Sequence, residues 1–285
     1  MINWNMISKI MGALLFFEAA LMSLSLGISV YSGEGDTPAF VTSVGLILLA
    51  AIVFRYFGLK AGNRLSRKDA YMVVTLSWVV FSLFGSLPFM LSGYVNNFTD
   101  AFFENMSGFT TTGATVIDDV EALPHGLLFW RSFTQWIGGL GIVFFTVALL
   151  PSLDGGYVKV FSAEITGPIQ TKLHPRLSMG AKYIWMVYVC LTAACAGCYW
   201  IFGMSPWETI NYAMTSTATG GFSIYNDSME NFHSPALEYT CTTFCFLSGI
   251  NFTLLYFTVA RRRIGMLFKS DEFKFYLFMA AACTA

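Results

Sequence analysis

The chain has 285 residues, of which 55% are hydrophobic and only 12% charged, and its mean hydropathy is +0.60. A soluble domain carries about 25% charged residues, so this composition excludes an ordinary soluble protein. The 16 Lys and Arg against 17 Asp and Glu leave a net charge of -1, which argues against a nucleic-acid binder.

Apolar residues fall in blocks of about 20, the length that crosses about 30 Å of hydrocarbon. In chain order the predicted spans are Ile7 to Val30, Ala39 to Phe57, Ala70 to Leu91, Leu127 to Leu150, Tyr183 to Gly203 and Tyr239 to Ala260. A seventh opens near Phe275 and runs 11 residues, about 16 Å of helix. The expected fold is an all-α polytopic membrane protein with six full spans and a truncated seventh. The first block is too long for a cleaved signal peptide and contains Glu18.

Charge sorts the connections into two sets. One set carries Lys60, Arg64, Arg67 and Lys68, then Lys159, Lys172, Arg176 and Lys182, then Arg261, Arg262, Arg263, Lys269 and Lys274. The other (31–38, 92–126 and 204–238) has no Lys or Arg and gathers acids, among them Glu34, Asp36, Glu104, Asp119, Glu121 and Glu208. The positive-inside rule puts the basic loops and the N-terminus in the cytoplasm. The acidic outer face suits a mouth that attracts cations.

The outer connections after the third and fifth spans are each 35 residues, long for plain crossovers. Each carries a helix start: Asn97 with Asp100, and Ser205 with Pro206 and Glu208. Short helices are predicted over Ala101 to Phe109 and Thr209 to Ser216. Each leads into a Thr/Gly run, Thr110-Thr111-Thr112-Gly113-Ala114-Thr115 and Thr217-Ala218-Thr219-Gly220-Gly221-Phe222-Ser223. At an offset of 107, Thr112 meets Thr219, Gly113 meets Gly220 and Ile117 meets Ile224. Pro124 and Pro235 then precede the next spans at an offset of 111, which implies four extra residues within 226–232. One unit, span, short helix, Thr/Gly run, span, is thus written twice.

The chemistry of that run suits a dehydrated monovalent cation. Backbone carbonyls of an extended loop can replace its hydration shell. Glycine gives such a loop access to positive φ and leaves the axis uncrowded. A short helix ending at the loop turns its partial negative charge towards the ion. The candidate ion ligands are Thr111, Thr112 and Gly113 with Ala218, Thr219 and Gly220. A single Thr/Gly string is as readily an ordinary turn; two in the same setting favour a filter.

The strings Asn105-Met-Ser-Gly-Phe-Thr-Thr-Thr-Gly-Ala-Thr-Val-Ile117, Gln135-Trp-Ile-Gly-Gly-Leu-Gly-Ile142, His174-Pro-Arg-Leu-Ser178, Ala218-Thr-Gly-Gly-Phe-Ser223 and Gly249-Ile-Asn-Phe252 resemble the Trk/Ktr/HKT superfamily of potassium transporters, specifically its TrkH-like membrane subunits. The resemblance covers nearly the whole chain. It implies a potassium-channel-like pore of four span–pore helix–span repeats, preceded by two extra helices. On that plan residues 1–66 are the extra pair, 67–158 the first repeat, 159–268 the second and 269–285 the start of a third. The resemblance further implies K+ as the transported ion, with no organic cofactor. It implies a bacterial inner membrane, a homodimer at full length and a cytoplasmic nucleotide-binding regulatory subunit. Only two of four filter loops are encoded, so the chain reads as about three-fifths of a longer transporter.

Other residues have blander readings. Glu18, deep in the first span, reads as a buried structural acid, partnered or protonated. Arg131 has four possible acidic partners, Glu104, Asp118, Asp119 and Glu121, but snorkelling to the interface is the simpler expectation. Gly138, Gly139 and Gly141 suit close helix packing or a widened pore. The six Cys look scattered, and His125, His174 and His233 look solitary, so no metal site is expected. Trp130, Tyr183 and Tyr239 are expected as interface anchors. With no convergent acid, base or nucleophile, an enzyme is not expected. The alternatives to potassium uptake are a non-conducting fragment or scaffold subunit and a sodium-permeable transporter.

Overall fold

The computed structural model describes residues 2–62, 66–141, 177–260 and 265–284. Every regular element in these segments is helical. Helix α1 runs Trp4–Ser32, starting where the Asn3 side chain accepts the Met6 N–H and ending at Gly33, whose φ is 66°. Helix α2, Thr37–Phe57, returns against it. The turn between them is held by buried Asp36, which accepts a hydrogen bond from the Ser29 hydroxyl.

Helix α3, Arg67–Gly85, opens on a capping box between Ser66 and Asp69. Asp69 also accepts the Asn3 N–H at 2.9 Å, tying the start of α1 to α3. After Ser86 the chain continues as α4, Leu87–Leu91. Two helices then follow across the outer connection: α5, Phe98–Phe109, and α6, His125–Gly139. The second half holds α7 (Leu177–Ile201), α8 (Pro206–Thr217), a 3-10 turn at Ser228–Phe232, α9 (Pro235–Ser248), α10 (Phe252–Ala260), α11 (Gly265–Lys269) and α12 (Asp271–Thr284).

Among the described residues, four stretches are long and apolar enough to cross a membrane: Trp4–Ser32, Thr37–Phe57, Lys68–Leu91 and Tyr183–Ile201. They match the first, second, third and fifth predicted spans. The fourth ends as a helix at Gly139; residues 142–150 of that prediction, and the basic connection through 176, lie outside the described residues. The sixth is not one helix. It breaks at Gly249-Ile250-Asn251, where α12 packs into the gap. Tyr276 donates to the Phe246 carbonyl at 3.0 Å, and Asn251 Nδ2 donates to Glu272 at 3.2 Å. Side chains inserted into a helix ladder are a recognised cause of such breaks.

The apolar faces need lipid. Only 17% of the apolar window of Tyr183–Ile201 is buried, and Leu49, Ile52 and Ile201 lie largely exposed. In water that surface would be a severe liability. Inside, α1 packs on α2, α3 and α6 around fully buried Phe81, Phe89, Phe109 and Trp130. Trp130 is therefore core and not an interface anchor: its indole N–H donates to the Gly85 carbonyl at 2.9 Å. Tyr183 and Tyr239 are exposed. Glu18 is completely buried, with neither carboxyl oxygen hydrogen bonded among the described residues. Such a position is costly for a charge.

Candidate ion path

The two short helices that precede the Thr/Gly runs are both 12 residues long, and each starts three residues before the stretch its composition predicts. The reason is capping. Asn97 accepts the Thr99 N–H and starts α5; Ser205 and Glu208 form a full capping box and start α8.

Beyond each helix the backbone repeats itself bond for bond. In the first run Thr110, Thr111 and Thr112 donate their N–H groups to Met106, Gly108 and Ser107. In the second, Ala218, Thr219 and Gly220 donate theirs to Met214, Ser216 and Thr215. Thr111 and Thr219 both sit at φ 53°, a rare setting for a β-branched residue. Gly113 at φ 75° is answered by Gly221 at φ 84°. The offset is 108 (219 − 111 and 221 − 113), not the 107 that letter matching gives. The helix caps obey it too, Asn97 against Ser205.

This register moves the second loop by one residue. Thr111-Thr112-Gly113 faces Thr219-Gly220-Gly221 in role, while Ala218 is the buried last cap of α8, equivalent to Thr110. The insertion before Pro235 shrinks from four residues to three (111 − 108), around the 3-10 turn. Identical letters do not mark equivalent positions here: Thr219 has a positive φ and Thr112 does not, whereas Thr112 and Gly220 donate to equivalent carbonyls, Ser107 and Thr215.

The loops lie against each other. A Cβ on Gly113 would collide with the Gly220 carbonyl oxygen, so no side chain fits between them. Thr112, Thr219 and Gly221 are exposed, and Gly220 is buried against the Gln135 amide of α6. Gln135 Oε1 accepts the Phe222 N–H at 3.1 Å. Gly138 and Gly139 let α6 approach the Phe109 carbonyl and Ala218, which favours close packing over a widened pore.

Behind the first loop sits a charge pair that the sequence leaves unresolved. Arg131 is 2% exposed and its Nε donates to Glu104 Oε1 at 2.8 Å. Snorkelling is thus overturned: Glu104 lies on the inward face of α5, one helix away, and the guanidinium turns inward to it. Glu104 also accepts from the Thr115 hydroxyl and the Val116 N–H, each at 3.0 Å.

The outer segments are laced together in front of the loops. Asn226 accepts the Val120 N–H at 2.8 Å, donates to Asp119 at 3.0 Å through its amide, and gives its own N–H to Glu121 at 3.0 Å. His125 is not solitary: its Nδ1 lies 2.7 Å from Glu34, and its ring rests 4.7 Å from Trp207. In the second unit Glu208 takes a hydrogen bond from the Tyr225 hydroxyl at 2.6 Å. Burial by itself would raise the Glu208 carboxyl, but the bonds from Tyr225 and Ser205 hold it below the ordinary value of 4.5. The same bond to Glu208, with burial, pushes Tyr225 up to about 12. The cysteines are less scattered than expected, since Cys241 and Cys245 both meet Ser216 at the end of α8. Among the described residues no group of three or more His, Cys, Asp or Glu could hold a metal ion.

Comparison with known proteins follows the same lines. The chain is 36% identical over 282 residues to the Trk system potassium uptake protein TrkH of Vibrio parahaemolyticus, covering 97% of this chain and 58% of that protein. It is 33% identical over 277 residues to the same-named protein of Escherichia coli, covering 96% and 57%. The crystal structure of the potassium transporter TrkH from Vibrio parahaemolyticus matches with a TM-score of 0.84 at 32% identity, over 97% of this chain and 57% of that one. The chain therefore spans a little under three-fifths of the length of these relatives. A family model described as TrkH, a cation transport protein, matches residues 40–284, and with these relatives it establishes that the chain belongs to the TrkH family of cation transport proteins.

Proposed function

We propose that this chain forms part of a potassium-uptake pathway across a bacterial inner membrane, with K+ as the cargo. The observation that carries the reading is the recurrence, 108 residues apart, of one positive-φ loop at the end of a short helix, with the two copies in contact. Residues 1–66 serve as a supporting helix pair. Residues 67–158 and 159–268 each supply one quadrant of a filter, and 269–285 begin a third. Thr111, Thr112 and Gly113 with Thr219, Gly220 and Gly221 line the ion's path, their backbone oxygens standing in for water. The C-terminal ends of α5 and α8 favour a cation there. The acidic outer segments concentrate cations at the mouth, and the N-terminus lies in the cytoplasm. The relatives are named as Trk system potassium uptake proteins, which supports K+ over Na+. A second copy of the transporter and a cytoplasmic nucleotide-binding subunit are the partners this reading carries with it.

The test is growth and ⁴²K or Rb+ uptake in cells lacking their own potassium uptake, using the gene as it stands in its genome. The unaltered gene restores growth at low K+. Gly113→Val and Gly221→Val lower uptake by about a hundredfold, the scale of a misplaced reacting geometry. Rescue by the variants as good as the parent's overturns the filter assignment. A parent protein present in the membrane that gives no K+ uptake overturns the potassium reading.

A further inference from the structure

We propose that Arg131 is a clip between the two filter loops: a positioning residue whose planar fork sets their separation and thereby the preference for K+ over Na+. The inference rests on the filter reading above. The guanidinium Nε donates to Glu104 at 2.8 Å, Nη2 to the Thr115 hydroxyl at 3.3 Å, and Nη1 to the Ser223 backbone carbonyl at 2.9 Å. Its face lies 4.3 Å from the centre of the Phe222 ring. Thr115 belongs to the first loop; Phe222 and Ser223 belong to the second. At the offset of 108, Thr115 and Ser223 are the same position, so one side chain grips both loops at one level.

The second copy shows what the clip adds. Where the first loop has Glu104 against Thr115, the second has Tyr212, again 108 residues on, against Ser223 with 2.6 Å between the hydroxyls. Below each, Thr115 and Ser223 take the N–H two residues on, from Ile117 and Tyr225. Each loop is thus braced within its own unit, by a carboxylate in one and a phenol in the other. Asn226 and Gln135 also join the units, but Arg131 bonds the two braced positions, Thr115 and Ser223, together. Counting from Pro124 and Pro235, its counterpart is Thr242, an exposed residue whose hydroxyl bonds its own helix at Glu238. One turn further along α6, Gln135 holds the Phe222 N–H, so the same helix face grips the second loop at two successive levels.

Stability alone does not account for such a pair. A buried Arg–Glu pair replaced by apolar residues of similar size is often neutral or stabilising, whereas a fork of five donors fixes geometry that a lysine cannot copy. A filter that replaces a hydration shell discriminates through the number and placement of its oxygens. The clip therefore acts on selectivity.

The experiment uses the protein expressed from its own gene, purified and reconstituted in liposomes, with K+ and Na+ fluxes measured side by side. Arg131→Lys keeps the charge beside Glu104 but cannot span to Ser223. The double variant Glu104→Met with Arg131→Met removes the charges together and leaves no ion stranded. Both variants elute as the parent does on size exclusion and still pass K+, and both lower the K+/Na+ flux ratio by about tenfold, the worth of a charged hydrogen bond. A variant that folds and keeps the parent's ratio overturns the clip. A parent that passes neither ion instead overturns the filter reading beneath it.

Discussion

At the scale of single residues, Glu104 and Arg131 carry the sharpest consequence. Truncating one member of a buried pair leaves the other uncompensated. Glu104→Ala is therefore expected to cost about 3–5 kcal/mol, read as a lowered unfolding midpoint in detergent. The paired Met variant is expected to restore much of it. Sequence alone narrowed the partners of Arg131 to four acids without choosing among them. Asp118, Asp119 and Glu121 are nearer in the chain, but they sit in an exposed outer segment, while Glu104 is turned inward on α5. Nothing in residue type distinguishes an acid on a helix's buried face from one on a loop. Trp130 failed for the same reason: near a span end an indole serves equally as an anchor or as core, and here its N–H is satisfied by the Gly85 carbonyl.

At the scale of elements, the capped helices were the most legible part. Ser205-Pro206-Trp207-Glu208 announces a helix start, and both bonds of the capping box are formed, at 3.3 Å to the Ser205 hydroxyl and 2.7 Å from its N–H. The loop register was less legible, because threonines repeat in the run and only φ tells which of them turn. The break in the sixth span was hidden as well, since Gly249 and Asn251 mark a gap only when Tyr276 and Glu272 are there to fill it. Glu208 and Tyr225 give this level its prediction. Glu208 is held low, so its contribution is complete above the ordinary value of 4.5 and is lost as pH falls below that, through its folded value. Tyr225 is held high, so its contribution is complete below the ordinary value of 10.0 and is lost as pH rises towards 12. Backbone hydrogen exchange over 222–232 should be slowest between these limits, after correction for the intrinsic pH dependence. Tyr225→Phe should remove the alkaline loss and flatten the acid one; an unchanged profile would show that the bond does not hold the segment.

At the scale of the whole molecule, composition made the bilayer plain, and the placement of Lys and Arg supports an orientation that labelling can test. Four long apolar helices among the described residues and the family match agree with a multi-pass membrane protein. Orientation is checked by labelling in a version without native cysteines. Single cysteines at Ser228 and Glu34 react with an impermeant maleimide from the periplasmic side, and one at Lys269 reacts only after the inner face is opened. The reverse pattern would invert the sidedness read from the Lys and Arg. The number of continuous spans was not legible, since hydropathy registers apolar length and is blind to a helix that stops and restarts. The internal brace of each loop has a further consequence for how the two units can be traded. Their backbones match, yet one brace carries a carboxylate that needs the arginine of α6 as its counter-ion, and the other is a neutral phenol that needs nothing. The two copies are duplicates in shape without being spare parts for each other. Moved into the second unit without Arg131, the first helix and its loop would bring a stranded negative charge, whereas the second helix and loop moved into the first would leave Arg131 with no carboxylate.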